Sequence, residues 1–329
     1  MKAVYINEFT ASLDLEIRDV NMPPKPTGTQ VLVRVHASGL NRADLLQARG
    51  LYPPPAGISA HIPGLEFAGE VVEAGEIASG DWPIGTRVFG ISSGECQAEL
   101  LVTDASILAK IPDNLDFVQA ASVPEAFVTA HDALTTQGAL VAGETVVIHA
   151  VGSGVGLAAL QIAKSLGANV IGTSRTAEKL ERCGEFGLDA AITIRDANSF
   201  AAAIAAATDG RGADLIIDLV GGAYLDQNLK SLATKGRLVL VGLTSGRTAE
   251  INLGIVLKKR AQITGTVLRP RPLVEKAAAT QKFIDDVLPR IASGSIRPNL
   301  DKAFPANDVV AAYKYLESNE SFGKIVLKW

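Results

Sequence analysis

The chain has 329 residues, 47% hydrophobic and 20% charged, the balance of a globular protein of about two domains rather than of a disordered or fibrous one. Its 31 Lys and Arg stand against 35 Asp and Glu, a net charge of −4 with no concentrated basic segment, which argues against nucleic-acid or membrane-surface partners. No apolar run reaches the ~18 residues of a membrane span. Two cysteines, Cys96 and Cys183, are too few for a disulfide framework or a four-thiolate zinc site, so the expectation is a soluble protein of the reducing cytoplasm.

The chain opens as a strand at Met1–Tyr5. Val31–Ala37 alternates, with Val31, Val33 and Val35 on one face and Arg34 and His36 on the other, as a half-buried strand does. Phe67–Gly75 and Arg87–Ile91 are further short strands between Gly and Pro breaks. Short strands with frequent turns predict a β-rich, partly open barrel. Beyond residue 120 the pattern changes. Glu144–Ala150 is an apolar strand, a glycine turn follows, and Val155, Ala159, Ile162 and Leu166 fall on one helix face closed by Gly167. Strands follow at Asn169–Arg175, Ala190–Ile194, Ala213–Val220, Gly236–Leu243 and Ala261–Val267, with helices between them that include Ala201–Ala207. This alternation predicts a doubly wound parallel sheet of the Rossmann type. The tail reads as a helix over Leu273–Ile291, a strand-like Ile296–Pro298, a helix over Asn307–Glu317 and a strand over Gly323–Trp329. It is too short for its own core and is expected to join the N-terminal domain, so that an α/β chain is made of a β-rich domain, residues 1–122 with 269–329, and a parallel-sheet domain, residues 123–268.

The turn after the first parallel strand reads Ala150-Val-Gly-Ser-Gly-Val-Gly156. In such a turn Ser153, Gly154 and Val155 can bring backbone N–H groups up to a pyrophosphate held at the helix N-terminus. The motif departs from G-x-G-x-x-G at Val151 and Ser153, and an ordinary strand–helix corner is the alternative. The next strand ends in Ser174 and Arg175 where NAD sites usually carry an acid, and Lys179 lies one turn on. A hydroxyl and two cations suit a 2′-phosphate, which favours NADPH over NADH; the alternative is solvated charge at a helix start.

Ser38–Leu45, Arg49–Pro55, Pro63–Gly69 and Ile148–Gly156, in that order, resemble the zeta-crystallin-like quinone oxidoreductases, a zinc-free branch of the medium-chain dehydrogenase/reductase superfamily. Ala312–Glu317 and Gly323–Leu327 resemble the tumour-suppressor-inducible subgroup, and the resemblance covers essentially the whole chain. It implies a GroES-like catalytic domain, an NADPH-binding Rossmann domain and a homodimer. The Ala261–Val267 edge strand offers a way to join two sheets across a two-fold axis. Ser38 and Leu65 stand where zinc-dependent relatives carry Cys and His, and His36, His61, His131 and His149 have no ligand-spaced neighbours, so no metal is expected.

With no Lewis acid, charge developing on a carbonyl oxygen must be met by hydrogen-bond donors. Tyr52 is the candidate catalytic donor, beside the nicotinamide in the family; the alternative is a loop anchor ahead of three prolines. The resemblance makes Asn41 a cofactor and substrate contact and gives Thr129 and His131 to the nicotinamide end. It adds Val241, Gly242, Leu243, Thr244, Thr266, Val267, Leu268 and Asn319 as cofactor contacts, although Val241 and Leu268 also read as core at strand ends. Arg42 and Asp44 are expected to pair, and both cysteines to be buried apolar filler. The function implied is NADPH-dependent hydride transfer to a quinone in the cleft between the domains. An alkenal or enone reductase and a non-catalytic nucleotide-binding protein are the alternatives.

Overall fold

The strand Gln30–Gly39 organises the first half of the computed structural model, which describes all residues Met1–Trp329. Val31, Val33 and Val35 point into a core with Phe67, Val71, Val88, Leu101 and Leu108, while the Arg34 side chain is 57% exposed, the expected alternation. Glu66–Ala74 pairs antiparallel with this strand on one edge, with Val33 opposite Val71. Lys324–Lys328, from the far end of the chain, pairs antiparallel near its C-terminal end, with Leu327 opposite Ser38. The seven-stranded sheet runs Leu300–Pro305, Lys324–Lys328, Gln30–Gly39, Glu66–Ala74, Arg87–Ile91, Leu108–Lys110, with Leu100–Asp104 also on Gln30–Gly39. This is the GroES-like domain. A second core under the tail gathers Val4, Ile6, Leu40, Leu45, Tyr313, Ile325 and Leu327.

The Rossmann sheet is parallel throughout. Its strands lie in the order Ala190–Thr193, Asn169–Ser174, Thr145–Ile148, Ala213–Asp218, Leu232–Leu240, Gln262–Gly265, which in chain order is third, second, first, fourth, fifth, sixth. The helix Gly154–Ser165 packs on it, and every residue from Gly156 to Ala163 is buried, so the helix is enclosed all round rather than along one stripe. By contact density the chain divides into Met1–Val128 with Leu268–Trp329, and Thr129–Val267. No helix is long and apolar enough to cross a membrane.

Several expectations are corrected. The helix expected over Leu273–Ile291 is two helices, Leu273–Asp286 and Leu288–Ala292, because Pro289 lacks an N–H and its ring clashes with the preceding turn. Ile296–Pro298 forms no strand; pairing begins at Leu300, beyond the proline. The fifth parallel strand begins at Leu232 and ends at Leu240, not Leu243. A strand at Asp14–Asp19 and short helices at Arg42–Ala48 and Pro124–His131 were not anticipated.

Candidate active site and nucleotide turn

In the GroES-like unit, Asn41 caps the helix Arg42–Ala48 and its amide is held from both sides. Nδ2 donates to Glu66 Oε1 at 2.8 Å, and Oδ1 accepts from Lys324 Nζ at 2.7 Å. The Lys324 ammonium also donates to the Leu40 carbonyl at 2.6 Å and lies 2.5 Å from Glu66 Oε1. Lys324 and Glu66 are both buried, so this ion pair is worth its desolvation only because each charge is also hydrogen-bonded. Glu66 Oε2 is taken as well, accepting the backbone N–H of Glu125 at 2.9 Å. Asp44 spends its carboxylate on the backbone N–H groups of Asn41 and Gly64, and burial still raises its pKa to about 6. Arg42 donates to Asn319 Oδ1 at 2.5 Å, so the expected Arg42–Asp44 pair is replaced by two separate contacts.

Tyr52 is half-buried, and its hydroxyl meets no protein partner. The Arg269 guanidinium lies 5.0 Å from the centre of its ring and donates to its carbonyl at 2.9 Å. Arg269 also donates to the Ser93 carbonyl at 2.8 Å and Gln47 Oε1 at 2.5 Å, which fixes it against the Tyr52 loop. Burial raises the Tyr52 phenol above its usual range, with Arg269 opposing and Glu125 reinforcing that shift. The phenol therefore stays protonated and can donate at any working pH.

Three members of this cluster went unread in the sequence: Glu125, Arg269 and Lys276. The Glu125 carboxyl makes neither a hydrogen bond nor an ion pair. Burial first, then the charge of Glu66, pushes its pKa up to about 8. Lys276 bonds Ser93 Oγ, and its pKa is lowered by burial while Glu125 raises it. One signal for Glu125 was available. It is the only charged residue in the apolar run Ala120–Ala130.

A metal does not fit these residues. No three His, Cys, Asp or Glu side chains are arranged so that they could hold a metal ion. Ser38 Oγ is taken by the Trp329 indole at 3.1 Å, Leu65 is buried and apolar, and an ammonium already pairs with Glu66.

In the Rossmann unit the glycine turn has the geometry of an anion site. Ser153 is the N-cap of Gly154–Ser165, its Oγ accepting from Gly156 N at 3.1 Å, so the N–H groups of Gly154 and Val155 precede the helical ladder. A Cβ on Gly156 would lie 2.5 Å from the Ala150 carbonyl oxygen and 2.6 Å from that of Val151, so only glycine lets helix and turn come this close. Ser174 ends the second strand with its hydroxyl accepting from Thr176 N, and Arg175 is exposed beside Lys179 in the next helix. A tight strand–helix turn with N–H groups ahead of the helical ladder suits the pyrophosphate of a dinucleotide.

The remaining expected contacts scatter. His131 is buried against Thr135, and Thr129 lies half-buried on the same helix. Thr266 donates its hydroxyl to Asp132 Oδ2 at 2.8 Å. Val241 and Gly242 donate their N–H groups to the Asp218 carbonyl, Leu243 and Thr244 are exposed, and Val267 is exposed beyond the end of the edge strand. Leu268 is buried core. Both cysteines are buried, with the Cys183 thiol pushed up to about 12 and Cys96 also raised by burial, so neither is a ready thiolate.

Residues 27–113 match the alcohol dehydrogenase GroES-like domain model, and residues 154–282 match the model described as zinc-binding dehydrogenase. The chain is 32% identical to a quinone oxidoreductase-like protein 2 homolog of Nematostella vectensis, over 99% of this chain and 88% of the relative. It belongs to the quinone oxidoreductase subgroup of the medium-chain dehydrogenase/reductase superfamily, a family of nicotinamide-dependent oxidoreductases. Among solved structures, a mycobacterial protein complexed with NADPH superposes with a TM-score of 0.89 at 28% identity, covering 100% of both chains. An NAD-dependent alcohol dehydrogenase gives 0.89 at 27% over 100% of both. The JamJ enoyl reductase gives 0.88 at 26%, over 99% of this chain and 98% of that one.

Proposed function

We propose that this protein is an NADPH-dependent, zinc-independent reductase that passes hydride to a quinone. The observation that carries the reading is Tyr52: a phenol with no protein partner, held protonated and braced by Arg269, ready to hydrogen-bond an acceptor's oxygen. Hydride reaching a conjugated carbonyl leaves negative charge on that oxygen, and a preorganised donor stabilises it without a metal. Asn41 contributes by tying Glu66 and Lys324 together through its amide.

NADPH is favoured over NADH because Ser174, Arg175 and Lys179 follow the second strand with no carboxylate at its end. Among the solved structures one neighbour was complexed with NADPH and another is named NAD-dependent, so the choice rests on these side chains. A homodimer goes with this reading. Gln262–Gly265 is a sheet edge with Ile263 exposed, and Leu253 and Leu257 of the preceding helix are 64% and 77% exposed, an apolar margin that a second copy would cover. A monomer mass in light scattering removes the dimer. The two free, buried thiols accord with work in the reducing cytoplasm.

The likeness to an enoyl reductase favours one competing acceptor, an α,β-unsaturated carbonyl reduced at its double bond. Steady-state NADPH oxidation with an ortho-quinone and a matched enal, in excess chelator, separates the readings. Quinone turnover that survives chelation is the expected result. Turnover of the enal alone makes the protein an alkene reductase, and NADPH binding with no turnover makes it a non-catalytic nucleotide binder.

A further inference from the structure

We propose that Glu125 is the acid that delivers the proton to the reduced acceptor's oxygen, with Tyr52 holding that oxygen in place. The inference rests on the reductase reading above and adds a catalytic residue to it.

The argument starts from how three enclosed carboxyls are spent. Glu66 uses both oxygens, Oε1 on Asn41 and Lys324 and Oε2 on the backbone of Glu125. Asp44 uses both on backbone N–H groups. Glu125, on the helix Pro124–His131, uses neither, although Arg269 and Lys276 are near enough for its charge to bear on them and both are occupied elsewhere. An enclosed carboxyl without a partner costs the fold free energy and contributes no structural contact in return. It does keep part of its surface open, which a proton donor needs for reprotonation.

The groups facing it decide its state. Glu66 and Asp44 oppose its ionisation; Lys324 and Arg269 favour it. Its charge also reaches Tyr52, Lys276 and Cys96. Burial outweighs the cations, and the carboxyl remains protonated up to about pH 8. An acid of that strength transfers its proton near neutrality far more readily than a phenol whose pKa has been raised, because general acids work best near the working pH. Tyr52 is thus suited to holding the oxygen and Glu125 to protonating it.

The step balances. A reduced nicotinamide, when bound, would supply two electrons and one hydrogen as hydride, its C–H bond breaking as the hydrogen bonds to the acceptor. The Glu125 O–H bond breaks as the O–H bond to the acceptor oxygen forms, and solvent returns a proton to the carboxylate.

The test uses full-length protein and the variants Glu125→Gln and Glu125→Asp, with NADPH and an ortho-quinone. The expected result is a kcat about 100-fold lower for Glu125→Gln with little change in the KM for NADPH, and partial recovery in Glu125→Asp. Wild-type rate should fall as pH rises through about 8, and Glu125→Gln should lose that limb. A readout independent of turnover is the infrared stretch of a protonated carboxyl in protein without cofactor. It should be present at pH 7, fade above about pH 8 and be missing from Glu125→Gln. A Glu125→Gln variant with wild-type kcat and an unchanged alkaline limb overturns the proposal and leaves the reductase reading standing. Absence of the band at pH 7 also overturns it. Wild-type protein that binds NADPH but reduces no acceptor overturns the reductase reading, and the proposal falls with it.

Discussion

Two buried polar networks, one in each unit, close in different ways. In the Rossmann unit His149 is fully buried between Thr173 Oγ1 at 2.8 Å and Asn228 Oδ1 at 2.7 Å, and Asn228 Nδ2 donates to Asp218 Oδ2 at 2.9 Å. Burial lowers the His149 pKa, so the ring is neutral. Because the Asn228 amide already donates to Asp218, its carbonyl must accept, which puts the ring proton on Nε2 and leaves Nδ1 to accept from Thr173. Asp218 Oδ1 in turn accepts from Val220 N and Gly221 N. In this network both ring nitrogens and both carboxylate oxygens are used. The network of the GroES-like unit is equally buried around Glu66 and Lys324, yet it leaves one carboxyl, Glu125, without a partner. A closed network ties strands together. An open one keeps a proton in reserve.

The largest effect should come from cutting the charged centre of the open network. Lys324→Met strands Glu66 as a buried charge and frees Asn41 Oδ1, and should cost about 3–5 kcal/mol in urea unfolding. A loss below about 1 kcal/mol would mean water reaches Glu66 and the network is not dry. Next comes the pH dependence of stability. Glu125 titrates near the ordinary glutamate value of 4.5 when unfolded and near about 8 when folded, so the folded state holds the extra proton between those limits. Stability should therefore fall as pH rises across that window, by up to about 1.4 kcal/mol per pH unit for one proton, and level off above it. Asp44 adds a slope of the same sign between 3.8 and about 6. Glu125→Gln should flatten the wild-type slope between about 6 and about 8, measured by urea midpoints across pH. A slope that persists there unchanged would assign it to another group.

The closed network should respond to deletion but not to pH in that way. Asn228→Ala leaves His149 Nε2 and Asp218 Oδ2 without partners and should cost about 1–3 kcal/mol. If His149 then titrates near neutrality in NMR spectra, the Asn228 carbonyl was what held its tautomer and the cavity has admitted water.

The contrast also explains what could be read in advance. Alternation in Val31–Ala37 and the strand–helix rhythm after residue 144 are local patterns, and the two sheets follow from them. Asp14–Asp19 escaped because only Leu15 and Ile17 mark it, and it becomes a strand by pairing with Lys2–Glu8. Tyr52 and Asn41 could be put forward from the sequence because a motif surrounds each. Glu125 could not, because what distinguishes it is non-local: Glu66, 59 residues away, closes on its backbone, and the charges that act on its carboxyl come from Asp44, Glu66, Arg269 and Lys324. No window of sequence contains that arrangement.

Arg175 supplies the smallest effect and a control for both networks. It is exposed, and its charge acts on Tyr224 within the unit. Replacing an exposed cation changes stability little, so Arg175→Ala should leave the urea midpoint within about 0.5 kcal/mol of wild type. On the NADPH reading proposed above, its charge matters only to a 2′-phosphate. The KM for NADPH should rise about tenfold, roughly 1.4 kcal/mol, while that for NADH stays near its wild-type value. Equal increases for both cofactors would move the 2′-phosphate away from Arg175. A fall in stability without any change in the cofactor ratio would make Arg175 part of the fold rather than of the site, and the preference for NADPH would then have to rest on Ser174 and Lys179.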